Sequence, residues 1–338
     1  MIVSKVAELG RYDAAVLDLY ASDFYAAGFD PGDIVDLRIR DYLFTIPVGT
    51  AYSDVDPYEI IFMEIALDGR MLVTINSGDH FASLYGIVPG DPVVIEMHKK
   101  AGYIKEYTLR CLTMSGNRQD YDSDEEFANF RFVKAGDIKP GFLYRGMSPI
   151  NPTDNRNFIS DMLLSKTDVR TCINLDDEDE KRRQRYPGYK KTHYSKLKIV
   201  PVKMPFSAKG RDVFDKFARI ARAIIEDDGP FFIHCRYARD RTGMVCAILE
   251  GLCGASFEEI TMDSMLSYEN IHHIERGSEK WLFQAKQHVT DFLIEVTGER
   301  DIENKKRDEL KELITNMCIN KCGLTRDEID AVYKKLCD

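Results

Sequence analysis

One stretch has residue types and spacing suited to covalent chemistry: Phe231-Phe-Ile-His-Cys-Arg-Tyr-Ala-Arg-Asp-Arg-Thr-Gly243. Five residues separate Cys235 from Arg241, His234 precedes the cysteine, and Thr242-Gly243 follow the arginine. The stretch lies between an apolar run that reads as a strand and a segment, Thr242 to Leu252, that reads as a helix. A loop entering a helix N-terminus points backbone N–H groups inward, and the helix dipole adds positive potential. That setting cradles a phosphate. It also favours a thiolate, lowering a cysteine pKa from about 8.5 to roughly 3.5–7.5. Cys235 is therefore expected to attack phosphorus. Arg241, carried back by the curl of the loop, is expected to take two phosphate oxygens with its planar fork and to bind the transition state most strongly. Thr242 is expected to donate its hydroxyl to the leaving thiolate, and His234 to brace the backbone. Arg236, Tyr237, Ala238, Arg239 and Gly243 complete the expected phosphate-binding loop.

The leaving oxygen needs a proton. Asp240, inside the loop, is the first choice as donor. The stretch Pro201 to Asp212 has no aspartate directly after its Pro-Phe, and Asp212 reads as a helix-capping residue. Asp176 and Asp177 follow a strand and read as a solvated acidic turn, a third choice. Glu269 and Asn270 are weighed as residues that position the hydrolytic water. His272-His273 lack a third ligand and read as an exposed polar pair. No metal or cofactor is expected, since a thiolate and Arg241 serve in its place.

These residues need elements to hold them. Thr171 to Leu175 and Phe231 to Ile233 read as buried strands, and Phe214 to Ile225 has helical spacing. Strand, helix, strand, tight loop, helix is an α/β pattern with a parallel sheet. Residues 281–337 read as helical and charged; Gly323 ends one helix, and Thr325 with Glu328 makes a capping box for the next. The first third is β-rich, with Ile34 to Ile39, Met71 to Ile75 and Pro92 to Glu96 as strands. Gly28-Phe-Asp-Pro-Gly-Asp33 recurs as Gly86-Ile-Val-Pro-Gly-Asp91, a duplicated turn that launches a strand. The reading is thus an N-terminal all-β, barrel-like domain at 1–114, a polar, acidic linker at 115–128, and an α/β domain at 129–338 with a central mainly parallel sheet flanked by helices.

The chain has 338 residues, 44% hydrophobic and 30% charged, enough for two globular domains. A formal net charge of -10 argues against a nucleic-acid binder. No apolar run approaches a membrane span, and the charged N-terminus lacks a secretory core, so a cytoplasmic protein is expected. The cysteines, among them Cys318 and Cys322 four apart, show neither a disulfide framework nor a zinc ribbon.

The loop His-Cys-x-x-x-Arg-Asp-Arg-Thr-Gly resembles the signature of bacterial tyrosine phosphatases, His-Cys-x-Ala-Gly-Lys-Asp-Arg-Thr-Gly. Asn129-Phe130-Arg131, Leu143-Tyr144-Arg145-Gly146, Asn174-Leu175-Asp176, Asp263 to Tyr268 and Gly323 to Asp330 are similar to further elements of that family, so the likeness spans 129–338. It implies a cysteine-dependent phosphatase acting through a phosphocysteine on phosphotyrosine or other phosphoproteins. Arg239 with Asp240 is associated with members that take lipids or many substrates. A phosphoinositide or inositol phosphate is therefore the alternative substrate, with Lys181 to Lys191 as a basic wall. The family's Ala-Gly pair is Tyr237-Ala238 here, which keeps open a third reading, a phosphate-binding protein of low or no activity.

Residues 10–97 resemble the C-terminal β-barrel half of S-adenosylmethionine hydroxide adenosyltransferases, through Tyr52-x-Asp54-Val55 and the Pro-Gly-Asp91 corner. Nothing in the 338 residues resembles the catalytic half, and that activity is not expected. Binding of an adenine-like ligand, self-association into a homo-oligomer and presentation of substrate stay open for this domain, with Arg11 and Asn76 as ligand contacts to be weighed against turn and surface roles.

Overall fold

The computed structural model describes residues 1–65, 68–78, 80–151, 155–205 and 211–338. The chain forms two compact units, Met1–Thr113 and Met114–Asp338.

The first unit is a closed barrel. Its strands are β1 (Ile2–Leu9), β2 (Ala15–Tyr20), β3 (Ile34–Ile39), β4 (Tyr42–Gly49), β5 (Ile60–Glu64), β6 (Arg70–Ile75) and β7 (Pro92–Lys99), in the order β1-β2-β6-β5-β4-β3-β7. Closure leaves no free edge, and the interior is filled by residues such as Leu17, Val35, Leu37, Phe62, Val73 and Ile95. The unit is not all-β: α1 (Ala21–Ala26), α2 (Phe81–Tyr85) and α3 (Ile104–Arg110) punctuate it. All three are shorter than eight residues, below what a periodicity window resolves.

The duplicated turn is real at the level of atoms. Asp33 Oδ2 accepts from Asp30 N at 2.8 Å, and Asp91 Oδ2 accepts from Val88 N at 2.9 Å. In each copy the aspartate N–H also closes the turn onto the carbonyl three residues back, at 3.1 and 3.2 Å. Gly32 and Gly90 take φ of 90° and 96°, which a side chain resists. Arg11 lies over the Tyr12 ring at 4.6 Å, and Asn76 Nδ2 donates to Val55 O at 2.9 Å, so both weighed ligand contacts serve the barrel's own turns.

The second unit is built on a five-stranded sheet of β8 (Arg131–Phe132), β9 (Leu143–Gly146), β10 (Thr171–Asn174), β11 (Lys198–Pro201) and β12 (Phe231–His234), ordered β11-β10-β12-β9-β8. The pairs β10/β11, β10/β12 and β12/β9 are parallel, and β8 closes one edge antiparallel. Strands buried on both faces read as continuous apolar runs, and the period of two sorts their side chains. Leu143, Ile173, Phe231 and Ile233 pack into one layer with Phe217, Ile220, Val245 and Leu249. Cys172 and Phe232 pack into the other with Leu163 and Leu164. The first layer draws on α7 (Arg211–Glu226) and α8 (Asp240–Leu252), the second on α5 (Arg156–Leu164). Further helices are α4 (Asp124–Phe127), α6 (Glu180–Gln184), α9 (Phe257–His272), α10 (Glu279–Ala285), α11 (Asp291–Thr297), α12 (Arg307–Asn320) and α13 (Arg326–Cys337). Thr325 caps α13 with the expected box to Glu328. Among the described residues no helix is long and apolar enough to cross a membrane.

Residues 115–128 are not a free linker. Tyr121 and Phe127 are 5% and 1% exposed, and Ser123 caps α4. The Arg156 guanidinium lies 4.1 Å from the Phe127 ring centre and donates to Phe127 O at 2.8 Å and Tyr121 Oη at 2.6 Å. The acidic composition of the segment hid two aromatic anchors whose partner lies about thirty residues further on.

Candidate active site

Strand β12 ends at His234, and α8 begins at Asp240. The intervening loop sits at the C-terminal edge of the parallel strands, where α/β sheets bind ligands. Cys235 is 4% exposed and Ala238 is fully buried. The helix dipole of α8, thirteen residues long, points its positive end into the loop. Among the described residues, the N–H groups of Arg236, Tyr237, Ala238 and Arg239 find no hydrogen-bond partner. The Thr242 hydroxyl is buried and equally unpartnered. Unpaired donors gathered at a helix N-terminus suit an anion.

The loop is gripped from behind. Ala238 occupies the left-handed region at φ 53°, a conformation that costs a residue with a Cβ about 1–2 kcal/mol. Its carbonyl accepts from Arg145 Nη2 at 2.8 Å, Asn129 Nδ2 at 3.2 Å and Ser267 Oγ at 3.4 Å. Asn129 Nδ2 also reaches Tyr237 O at 3.1 Å, and Ser148 N holds Arg236 O at 3.2 Å. Arg145 is fully buried and ion-paired with Asp263 on α9. Arg131 on β8 adds a 2.9 Å bond to the same carboxylate and a 2.7 Å bond to Asn129 Oδ1. Burial would raise the Asp263 carboxyl, but the two arginines hold it well below the usual range. Burial keeps the neighbouring Glu250 carboxyl far above its ordinary value, as a neutral donor to Asp263.

His234 is a strut. Its Nδ1 faces Cys235 O and its Nε2 faces the Tyr194 hydroxyl, each at 3.2 Å. Burial pushes its pKa down to about 4, so the ring is neutral, with Nδ1 donating and Nε2 accepting from Tyr194. Arg241 is 4% exposed; it donates from Nη1 to Leu175 O at 3.1 Å and from Nη2 to Asp176 Oδ1 at 2.8 Å, bonds that fix the guanidinium plane. Asp176 is therefore no solvated turn. It is an anchor for Arg241, brought there because β10 and β12 are neighbours in the sheet. Gly243 lies in the first turn of α8, where an added Cβ would make only ordinary contacts, so close approach does not require a glycine there. The Arg236 guanidinium lies 5.4 Å from the Tyr237 ring centre.

Asp240, the expected proton donor, is clasped by its neighbour. Arg239 Nε donates to Oδ1 at 2.9 Å and Nη2 to Oδ2 at 3.0 Å, and the Tyr268 hydroxyl adds a 3.3 Å bond. Burial alone would raise this carboxyl, but the charge and hydrogen bonds of Arg239, with help from His288 and Tyr268, hold it well below the usual carboxylate range. The side chain is still 31% exposed, so the arginine contact decides the direction. As found, Asp240 is an anion, not an acid. His272, expected to be an exposed polar residue, accepts from Arg239 Nη1 through Nε2 at 2.6 Å and completes the clasp. Asp177 pairs with Arg183 at 2.7 Å, and Asp212, in the first turn of α7, pairs with Lys216 at 3.2 Å. Glu269 is occupied by Arg276 and Trp281, and Asn270 Nδ2 bonds Asn129 Oδ1 at 3.2 Å. From the basic stretch, Arg183 and Arg185 line a cavity of about 250 Å³ with Ser148, Asn151 and Asp176 beside the loop. Part of the Pro201–Asp212 stretch, 206–210, lies outside the described residues.

Sequence reasoning assigned no role to Arg145, Arg131, Asn129, Ser267 or Asp263. Only the family likeness marked those five positions, because their partners lie from about 30 to more than 130 residues away and leave no local spacing.

Residues 126–338 match the tyrosine phosphatase family. No curated protein matches the chain. Among solved structures, an uncharacterized conserved protein from Thermotoga maritima is 22% identical over 28% of this chain and 35% of its own, with a TM-score of 0.26. The chain thus spans about a third of that protein's length. The core catalytic domain of the PP-IP phosphatase SIW14 from S. cerevisiae is 18% identical over 56% of this chain and 91% of its own, with a TM-score of 0.32. TpbA from P. aeruginosa is 15% identical over 55% of this chain and 96% of its own, with a TM-score of 0.29.

Proposed function

The chain belongs to the tyrosine phosphatase family, and on that premise we propose that it hydrolyses phosphate monoesters, phosphotyrosine in proteins foremost, through a phosphocysteine on Cys235. The observation that carries the proposal is the receptor between β12 and α8: four backbone N–H groups and the Thr242 hydroxyl without partners around a cysteine at a helix N-terminus. A phosphoryl group supplies the missing acceptors. Cys235 attacks phosphorus as the thiolate. Arg241, its plane preset by Leu175 O and Asp176, takes the equatorial oxygens as charge spreads over them. Thr242 donates to the sulfur when water releases phosphate. His234 and the Arg145–Ala238 tether keep the cup open before substrate arrives.

A second substrate, an inositol phosphate or phosphoinositide, is favoured by one observation, the cavity that Arg183 and Arg185 line next to Asp176. It offers cations to a second phosphate beside the first.

Hydrolysis of para-nitrophenyl phosphate under reducing conditions with EDTA tests the reading. Wild type should turn over, Cys235→Ser should lose essentially all activity, and Arg241→Met should lose about 10²–10³-fold or more in kcat. Turnover that survives Cys235→Ser would remove the mechanism. A wild type inactive on every substrate would leave a phosphate-binding protein.

A further inference from the structure

The sheet of the second unit ends at β8, and Arg131 and Phe132 of that edge strand line a cavity of about 720 Å³. Small-molecule sites occupy roughly 300–1,000 Å³. Phe130, Phe132, Tyr144, Leu163, Met262 and Leu266 give the cavity apolar walls. Tyr144 comes from β9 and Leu163 from α5, while Met262 and Leu266 come from α9, so the cavity wraps the edge of the sheet from both layers.

Two further features select an occupant. The first is main chain. Val133 N donates to Leu143 O at 2.8 Å, which makes Phe132 and Tyr144 the non-hydrogen-bonded pair of the antiparallel ladder. The N–H and C=O of Phe132 therefore point away from β9, along the open edge, where an extended chain can pair with them. The second is charge. In the walls, Arg131 pairs with Asp263 at 2.9 Å, Glu259 with Arg307 at 2.8 Å and Arg276 with Glu269 at 2.7 Å. The other charges at the mouth are Lys134, Lys166, Glu125 and Glu258, all exposed and two of each sign. A fatty acid would meet the lysines but leave its chain against the glutamates. An apolar amine would do the reverse. A neutral hydrocarbon would use neither, and would leave the Phe132 amide groups unmatched.

We propose that this cavity binds a short apolar peptide with both ends free, extended along β8. Its main chain pairs with Phe132, its side chains fill the apolar walls, its carboxylate meets Lys134 and Lys166, and its ammonium meets Glu125 and Glu258. Three residues of extended chain span about 10 Å, the scale of such a cavity. Binding requires no turnover, so the inference stands apart from the phosphatase reading above.

Isothermal titration calorimetry of the full chain with Leu-Phe-Leu, free at both ends, tests it. One saturable site per chain is expected. Acetylating the N-terminus or amidating the C-terminus should each weaken binding about two- to fivefold, as loss of an exposed ion pair does. Leu266→Arg, which drives a charge into the apolar wall, should abolish binding. In the double variant Lys134→Glu/Lys166→Glu, whose substitutions are both at exposed positions, the free peptide should bind more weakly and amidation should no longer reduce its affinity. An unchanged thermal midpoint checks that each variant is folded. Equal affinity for the free and doubly capped peptides would reduce the cavity to an unselective apolar hollow and overturn the inference. So would binding that survives Leu266→Arg, an unaltered response to amidation in the lysine variant, or no binding at millimolar peptide. None of these outcomes touches hydrolysis of para-nitrophenyl phosphate, on which the phosphatase reading is judged separately.

Discussion

Arg145 Nη2 donates to the carbonyl of Ala238 at 2.8 Å, tying a fully buried guanidinium on β9 to the one left-handed residue of the loop between β12 and α8. The bond connects two problems with one solution. A buried charge needs partners, and a loop that curls around an anion needs its outer carbonyls held elsewhere. Arg145 meets Asp263 on one side and the loop on the other.

Asp263→Asn should expose how much that solution carries. The substitution leaves Arg145 and Arg131 facing a neutral amide in the interior. Breaking one partner of a buried pair costs about 3–5 kcal/mol. Urea unfolding should show a loss of that order with the m-value unchanged. A loss below about 1 kcal/mol would mean that the arginines find other partners.

Ala238→Gly should be neutral to mildly stabilising. Removing the Cβ relieves about 1–2 kcal/mol of left-handed strain, and added freedom in the unfolded chain takes back about 0.4–1 kcal/mol. The midpoint of urea unfolding reads the difference. A clear destabilisation would show that the methyl is needed for packing, not merely tolerated.

Acid should weaken the second unit partly through His288. Burial, with the Asp240 charge opposing it and the Arg239 charge adding to it, lowers its folded pKa to about 4, against 6.5 for the free side chain. Its ring lies against Tyr268, with centroids 5.1 Å apart. Between pH 6.5 and 4 the unfolded state binds the proton and the folded state does not, so stability falls as pH falls. The slope is up to about 1.4 kcal/mol per pH unit. In His288→Gln the urea midpoint should decline less across that window than in wild type. Parallel curves would remove His288 from the account.

The two Pro-Gly-Asp turns should prove unequal. Asp33 is 1% exposed and accepts from Asp30 N, from Ala101 N at 2.7 Å and from Lys100 Nζ at 3.0 Å. Asp91 Oδ2 accepts from Val88 N, and Arg40 lies 3.8 Å from its other oxygen at the surface. Hydrogen bonds to charged groups contribute about 1.5–3 kcal/mol each when buried. Asp33→Ala should therefore destabilise the barrel by several kcal/mol and Asp91→Ala by about 1–2 kcal/mol, measured by thermal unfolding of the full chain. Equal losses would mean that turn closure, not the buried network, dominates at both sites.

Much of the candidate site was legible because it is local. Cys235, Arg241 and Thr242 fall on one loop and one helix turn, and the apolar run Phe231–Ile233 with the helical spacing after it places them without reference to anything distant. The duplicated turn was legible for the same reason, since Pro, Gly and Asp set backbone angles and a hydrogen bond within six residues. The short helices of the first unit and the anchored segment 115–128 were not. The former are too brief to show a period, and the latter owes its order to Arg156.

The sequence by itself determined the chemistry at hand: a cysteine, an arginine and a hydroxyl at strand-to-helix spacing, and two units of different periodicity. Only the tertiary structure decided which carboxylate does what. Asp176 serves Arg241 because parallel pairing of β10 with β12 brings Leu175 beside the end of His234. Asp240 serves Arg239 because the turn into α8 folds two adjacent side chains together beneath Tyr268 and His272. A carboxylate is acid, base or anchor according to the charge that packs against it, and that charge arrives from elsewhere in the fold.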